Sequence, residues 1–365
     1  MTTTVIPFGA VMAQKKWSAG LAVDISLKSY FTKKFVGEGE NRIVQRKTEL
    51  DSDAGDTISF DLSVLLRNRP VTGDQRVEGR EENLRFFTDQ VTIDQTRHAV
   101  SAGGKMTRKR TAHDLRTVAK ERLSDYWAQY IDELTFMNLS GSRGMNQDYI
   151  EGLDFSGFAQ NPLLAPDSQH QIFAGGATSV ATITNTEIMT RLLIEQAVAT
   201  ATMMRAQNPL TPNMMPISIE GGQHFVTVMS PFQEYDMRNN DTGGWVDIQR
   251  AAAAAEGKNS PVFKGSLGMI NNVILHSHPS VIRFNNYGAG ANLPAARALF
   301  MGRQAGVVAY GTAGGLRFTW KEELRDFGNE PTVVAGKIIG IKKVRYNNID
   351  FGVMAIDSYS APAPT

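Results

Sequence analysis

An α+β fold is predicted from three observations in this 365-residue chain. Strand-like segments crowd positions 42 to 100, a helix-period apolar stripe runs from about 107 to 139, and two strand-like segments close the chain around Asn347 and Asn348. Strands first, then one long helix, a mixed centre and a closing pair is an α+β order, unlike repeated βαβ units. A hydrophobic content of 42% supports a substantial core, and the length suits one large domain with insertions or two to three subdomains.

Residues 1 to about 40 read as an arm, with a short amphipathic candidate "WSAGLAVDISLKSYFTKKF" ending in the glycine-punctuated "VGEGEN". Trp17, Leu21, Ile25, Tyr30 and Phe31 are too few to make a core alone, so they bury either on the chain's own body or on another molecule. In "DTISFDLSVLL", Ile58, Phe60, Leu62 and Val64 alternate with Ser59, Asp61 and Ser63, the period of a strand with one apolar face. It is followed by a tip, 67 to 83, broken by Pro70, Gly73 and Gly79 and crowded with Arg67, Arg69, Arg76, Arg80, Glu78, Glu81 and Glu82. The return segment is "LRFFTDQVTIDQTRHAV". A two-stranded hairpin is marginal in water alone, so its apolar face needs cover from the chain's own body or from a neighbouring molecule.

The long helix carries Leu115, Val118, Ala119, Leu123, Tyr126, Trp127, Tyr130, Ile131, Leu134 and Met137 at steps of three and four, one broad stripe. Leu115, Leu123, Trp127, Tyr130 and Leu134 are its expected core. Thr111 with Asp114 resembles a capping box, which starts the regular helix at Thr111 and leaves "TRKR" before it, and Gly141 is the expected stop. At 1.5 Å per residue such a helix spans roughly 40 Å. Residues 141 to 180 are loop-rich, a second helix is expected near 186 to 207, "HFVTVMS" and "NVILHSH" read as strands, and 251 to 315 is low in charge. "KIIGIKKVRY" and "DFGVMAIDS" are expected to form a closing hairpin through Asn347 and Asn348, since Asn tolerates positive φ.

Signals of chemistry are weak. Lys plus Arg (38) nearly cancel Asp plus Glu (37), which argues against a dedicated nucleic-acid binder and tolerates many copies side by side. The absence of cysteine removes thiolate metal sites, disulfides and thiol nucleophiles. Without a signal-like start or about 18 continuous apolar residues, a soluble, unexported protein is expected. Gly257 and Lys258 lack a first glycine, Ala252 standing in its place, and "GAGANL" has Leu293 where the third glycine belongs. "DSDAGD" (Asp51, Asp53, Gly55, Asp56) imitates a calcium loop but has Leu62 at the distal acid position, so a polar turn is the better reading. His276 and His278 alternate on a strand with no third ligand suggested. The run Lys105, Arg108, Lys109, Arg110 is read as a solvated helix approach ahead of phosphate contact. No metal, cofactor or catalytic residue is expected, and an enzyme with a dispersed site stays as a distant alternative.

This order resembles the major capsid proteins of tailed bacteriophages with the Hong Kong 97 type fold. The wording of "KKWSAGLAVDISLKSYFTKKFVGEGENRIVQRKTELDSDAGDTISFDLSVLLRNRP", "EGREENLRFFTDQVTIDQTRHAV", "RLSDYWAQYIDELTFMNLSG", "MSPFQEYDMR" and "KIIGIKKVRYNNIDFGVMAIDS" is similar to coat proteins of the N4-type podovirus subgroup. The resemblance implies an N-terminal arm at 1–41, an extended hairpin loop at 42–100 with its tip at 67–83, the spine helix of a peripheral domain at 101–140, a mostly axial domain at 141–330, and closing strands of the peripheral domain at 331–365. It implies an icosahedral, non-enzymatic head shell enclosing double-stranded DNA by diffuse contact, assembled in the host cytoplasm and ending as part of the virion. The partners implied are many copies of the chain in pentamers and hexamers, a separate scaffolding protein, because the chain begins almost at the arm, a portal, and a decoration protein as a further class; no membrane is implied. Ile58, Phe60, Leu62, Val64 and the charged tip become candidates for intersubunit contact. An encapsulin-like compartment on the same fold is the alternative, and no lysine–asparagine crosslink is expected.

Overall fold

The computed structural model describes residues 25, 28–50, 55–110, 114–207, 211–219, 221–240, 244, 261–312 and 318–362. In chain order the first elements are α1 (Tyr30–Lys34), β1 (Val36–Gly37), β2 (Val44–Lys47), β3 (Thr57–Ser63), β4 (Phe86–Thr92), β5 (Asp94–Ser101), α2 (Lys105–Arg110) and α3 (Leu115–Ser140). The centre supplies β6 (Gln171–Phe173), α4 (Arg191–Gln207), β7 (Ile217–Ile219), β8 (Gly222–Met229) and α5 (Pro231–Asn240). The rest comprises β9 (Gly268–Ile270), β10 (Val273–Ser277), β11 (Arg283–Tyr287), β12 (Leu293–Met301), β13 (Gly306–Tyr310), β14 (Thr319–Arg325), β15 (Glu330–Lys343) and β16 (Val353–Tyr359).

Two sheets enclose the long helix α3. In the first, β15 pairs with β13 and β14 along one edge and with β5 along the other, and β2 and β1 continue beyond β13. Val333, Ala335, Ile339 and Ile341, at period two on β15, turn one face into the main core. Lys337 interrupts that row and is buried, its ammonium held over the rings of Tyr310 and Phe318 at 4.0 and 4.7 Å. The second sheet runs β9–β10–β8–β12–β16–β6, with β7 and β11 at its margins. Leu193, Ile194, Ala197, Ala201 and Met204 form the helical stripe by which α4 covers one of its faces. Val226, Val228, Ile274, Leu299 and Met301 on the other face share the main core with α3.

Being enclosed changes the character of α3. Its first half is one-sided, but from Tyr130 to Ser140 every residue is buried, including Asp132, Glu133, Thr135, Asn138 and Ser140 on the face expected to be wet. Each of these polar groups has a partner, as burial requires. Asp132 accepts from Ser29 Oγ (2.8 Å) and from the backbone N–H groups of Tyr30 (2.7 Å) and Phe31 (3.0 Å), capping α1. Burial raises its carboxyl to about 6. Glu133 accepts from Gln129 and from Ile150 N, while Thr135 and Asn138 donate to carbonyls one turn back. Gly141 ends the helix at φ 69°, its N–H bonded to Met137 O at 2.9 Å. Arg297 of β12 caps Ser140 O at 2.9 Å while it pairs in register with Asp357 of β16 through two bonds of 2.7 and 2.8 Å, tying the helix end to the second sheet.

Several sequence expectations are corrected. The basic run is the separate helix α2, and α3 starts at Leu115; Thr111 lies outside the described residues. Val118 is exposed and Leu115 half-buried, while Leu123, Trp127, Tyr130 and Leu134 are buried as expected. The strand-rich stretch 42–100 is not one hairpin. Only β3 and β4 pair with each other, whereas β2 joins β13 and β5 joins β15 in the first sheet. Asn347 and Asn348, at φ 52° and 60°, do make the closing turn, but it joins only Arg345–Tyr346 to Ile349–Asp350. Both edges of β15 are already occupied, so β16 pairs instead with β12 and β6, which puts the last strand of the expected 331–365 unit in the second sheet. Conversely, β13 and β14, from within 141–330, belong to the first.

Of the arm residues, Ile25 and Phe31 are buried in the chain's own main core and Tyr30 packs against it, while Trp17 and Leu21 lie outside the described residues, as do Asp51, Asp53, Ala252, Gly257 and Lys258. Among the described residues no group of three or more metal-ligating side chains occurs, and no helix is long and apolar enough to cross a membrane. His276 is 1% exposed and bonds Val262 O at 2.9 Å, and His278 packs on Tyr30 and Phe136. Burial first, and then the Lys34 charge, pushes their imidazoles down to about 3 and about 4. Their folded pKa values lie below the unfolded value, so the stability they contribute is present above about pH 6.5 and is lost as pH falls toward 4. Each histidine is expected to remove on the order of 1 kcal/mol per pH unit in that window. Urea midpoints at pH 7 and pH 5 should therefore converge in His276→Gln relative to the unaltered chain, and an identical pH slope in both would refute this account.

Candidate functional site

Among the described residues, the ribbon of β3 and β4 projects from the body, paired from Thr57↔Thr92 to Ser63↔Phe86 and extended by Val64 N to Arg85 O at 3.0 Å. Its root is firmly held. Ile58 is buried with Val91, Ile93, Val307, Ala309, Val344, Tyr346 and Phe351, and Phe60 meets the Tyr346 ring edge-on at 6.1 Å. Phe60 and Leu62 are half-buried against the same cluster. The base of the apolar face is thus covered by the chain's own body, which leaves the distal part for anything else.

Polar contacts fix the angle at which the ribbon leaves. Asp89 accepts from Lys342 Nζ and, at 3.0 Å, from Arg345 N, and Lys342 Nζ also donates to Gln90 O at 2.8 Å. Asn161 brackets Thr92, accepting from its N–H at 3.1 Å and donating to its carbonyl at 2.7 Å. Beside it, a Cβ on Gly340 would lie 2.1 Å from Thr92 O, so only glycine permits β15 to pass this close. These anchors were missed in the sequence, although the glycine inside "KIIGIKKV" is the usual mark of a close backbone approach.

Beyond Val64 two acids of the tip fold its backbone. Glu82 accepts from the N–H groups of Arg67 (2.9 and 2.8 Å) and Asn68 (2.7 Å), and Glu81 accepts from Gly79 N at 2.7 Å. Arg80 donates to Gln75 at 2.6 Å. Arg67, Arg69, Arg76, Glu78, Arg80 and Glu81 are all exposed and Glu82 is half-buried, and among the described residues no tip arginine pairs with an acid of the chain. Gly73 and Gly79 turn the chain at φ 64° and 81°. Five large apolar side chains stand more than half exposed on this projection: Leu65 (52%), Leu66 (60%), Val77 (61%), Leu84 (61%) and Phe86 (59%). They were not among the sequence candidates, although the doubled leucine in "SVLLRNR" breaks the alternation. A rigid root, a wet tip charged with both signs and an apolar shaft suit a contact surface and supply no arrangement for bond-making chemistry.

The sequence profile of the phage capsid protein family matches residues 5–362, and the chain belongs to that family. It is a structural protein of the phage virion, a subunit of the head shell, in a family that is not an enzyme class. The capsid of Ralstonia phage GP4 is similar over 100% of both chains, at 60% identity and a TM-score of 0.89. The major capsid protein of Pseudomonas phage KPP25 is 24% identical, with 89% of this chain and 90% of that protein covered. The capsid of cyanophage Pam1 shares the fold at 22% identity, with 92% and 93% of the two chains covered and a TM-score of 0.71. These matches are phage capsids, and the encapsulin-like alternative draws no support from them.

Proposed function

We propose that many copies of this chain assemble by themselves into a closed icosahedral shell of Hong Kong 97 type around double-stranded DNA, each copy laying its β3–β4 ribbon over an adjacent copy. The observation that carries this reading is the ribbon itself: seven paired residues per strand anchored at one end, with five large apolar side chains exposed at and around the other. A protein acting alone gains nothing by holding that surface in water, whereas a neighbour removes it from water at roughly 25 cal/mol per Å². On this reading the first sheet with α3 is the peripheral part, and the second sheet with α4 and α5 is the axial part that meets its copies around five- and six-fold axes. Ile25 and Phe31 hold the arm to its own body, and Phe60, Leu62, Val64 and the tip supply the reach.

Heterologous contacts that close under rotation make pentameric and hexameric rings, and rings of one chain tile a shell. A subunit held by several neighbours gains effective concentration that no single contact supplies. The tip charges select register and partner more than they add affinity, since exposed pairs are worth about 0 to 1 kcal/mol each. The same reading places the chain in the N4-type coat protein subgroup, with a scaffolding protein, a portal and a decoration protein as partners and with assembly in the host cytoplasm.

Electron microscopy and sedimentation of the purified chain, alone and with candidate scaffolding proteins, test the proposal. Closed icosahedral particles are expected in at least one condition. A strictly monomeric species in all of them would overturn it.

A further inference from the structure

The basic run at 105–110, left aside in the function just described, is a helix of unusual charge on this chain. The four cations Lys105, Arg108, Lys109 and Arg110 occupy the six residues of α2, with no acid among them, on a protein whose formal net charge is only +1. None of its residues is buried, and among the described residues none of the four cations pairs with an acid. The helix is nevertheless fixed in place. Ala102 N donates to Pro331 O at 2.9 Å, Lys105 N to Asn329 Oδ1 at 3.0 Å and Arg108 Nη2 to Asn329 O at 3.1 Å, so α2 is clamped to the β14–β15 turn. The acids of that turn are engaged locally: Asp326 accepts from Asn329 Nδ2 at 2.9 Å, and Glu330 accepts from Ser101 Oγ. Arg325 adds a further exposed cation beside them.

We infer that α2 is the phosphate-contacting element of the shell subunit, engaging the backbone of duplex DNA without reading its sequence. This rests on the proposed enclosure of DNA. Charge complementarity identifies the occupant. Protein partners are gripped through apolar or aromatic anchors in desolvated pockets, and here the sole large apolar side chain is the exposed Met106. With no aromatic residue in "KMTRKR" there is nothing to stack on bases, which leaves the phosphates. Cations released from intrachain pairing, on a backbone already ordered by Asn329, meet a polyanion with little further ordering cost.

The test uses the full chain and a mixed-sequence duplex of about 30 base pairs, with affinity measured between about 50 and 300 mM salt. In K105Q/K109Q/R110Q, which spares the docking residue Arg108, the slope of log affinity against log salt should become shallower by roughly 2.7, about 0.9 for each phosphate no longer neutralised. A control variant, R67Q/R69Q/R76Q, removes the same charge from the ribbon tip and should keep the original slope. An unchanged slope in the first variant, or an equal change in both, overturns the assignment. Acetylation of the unaltered protein gives a second readout that needs no variant to fold. Saturating duplex should protect Lys105 and Lys109 and leave Lys264 and Lys321 reactive, and equal reactivity with and without duplex overturns the inference. Microscopy of the same samples separates the two readings. Particles that form without duplex affinity sink this inference and leave the shell standing, whereas duplex binding through α2 with no particles in any condition sinks the shell and leaves the contact. Absence of particles in the first variant with duplex affinity unchanged assigns α2 to contacts between copies and overturns its role toward DNA.

Discussion

Replacing Arg67, Arg69, Arg76 and Arg80 together by alanine is expected to abolish closed particles at protein concentrations where the unaltered chain assembles, while the folded subunit melts as before. The fold is indifferent because the tip is organised by Glu81 and Glu82 accepting from backbone N–H groups, which the substitutions leave in place, and Arg80 gives up only its bond to Gln75. Assembly is sensitive because a small loss is repeated at every copy. If each ribbon contact weakens by about 1 kcal/mol, the association constant per contact falls about fivefold, and closure of a shell compounds that loss over all subunits. Sedimentation and microscopy across a concentration series check this. A normal particle yield with the four arginines removed would show that the apolar shaft alone makes the contact, and would end the role assigned to the tip.

Trp127→Ala is expected to have the largest effect on the subunit itself, about 3 to 5 kcal/mol. The indole is 2% exposed, lies 5.3 Å from the Phe318 ring and 5.8 Å from the rings of Tyr130 and Tyr126, and fills the space between α3 and the first sheet. Its Nε1 finds no hydrogen-bond partner, so what the substitution removes is packing, and Trp127→Phe should recover part of it. A shift of the urea midpoint reports the cost. An unchanged midpoint for the alanine variant would mean that the helix is not clamped between the sheets as described.

Local order was legible in the chain. The alternation of Ile58, Phe60 and Leu62 marked β3, the recurrence from Leu123 to Leu134 marked α3, Gly141 marked its end, and Asn347 with Asn348 marked a two-residue turn, because each depends on interactions within a few residues. Family wording carried the head-shell reading, with the profile match over residues 5–362 behind it. Partners were not legible, since a strand's period says which face is apolar and nothing about which strand lies at its edge. The burial of Asp132 and Glu133 was hidden for the same reason: a second sheet closed over a face that the pattern alone reads as wet. Sequence by itself determined the periods, the turns and the charged tip, which are short-range matters of backbone and side-chain preference. Only the tertiary structure decided that β15 has both edges filled, that β16 must cross to the other sheet, and that Asp89, Asn161 and Gly340 hold the ribbon at its root, because those outcomes depend on long-range competition for strand edges and buried space.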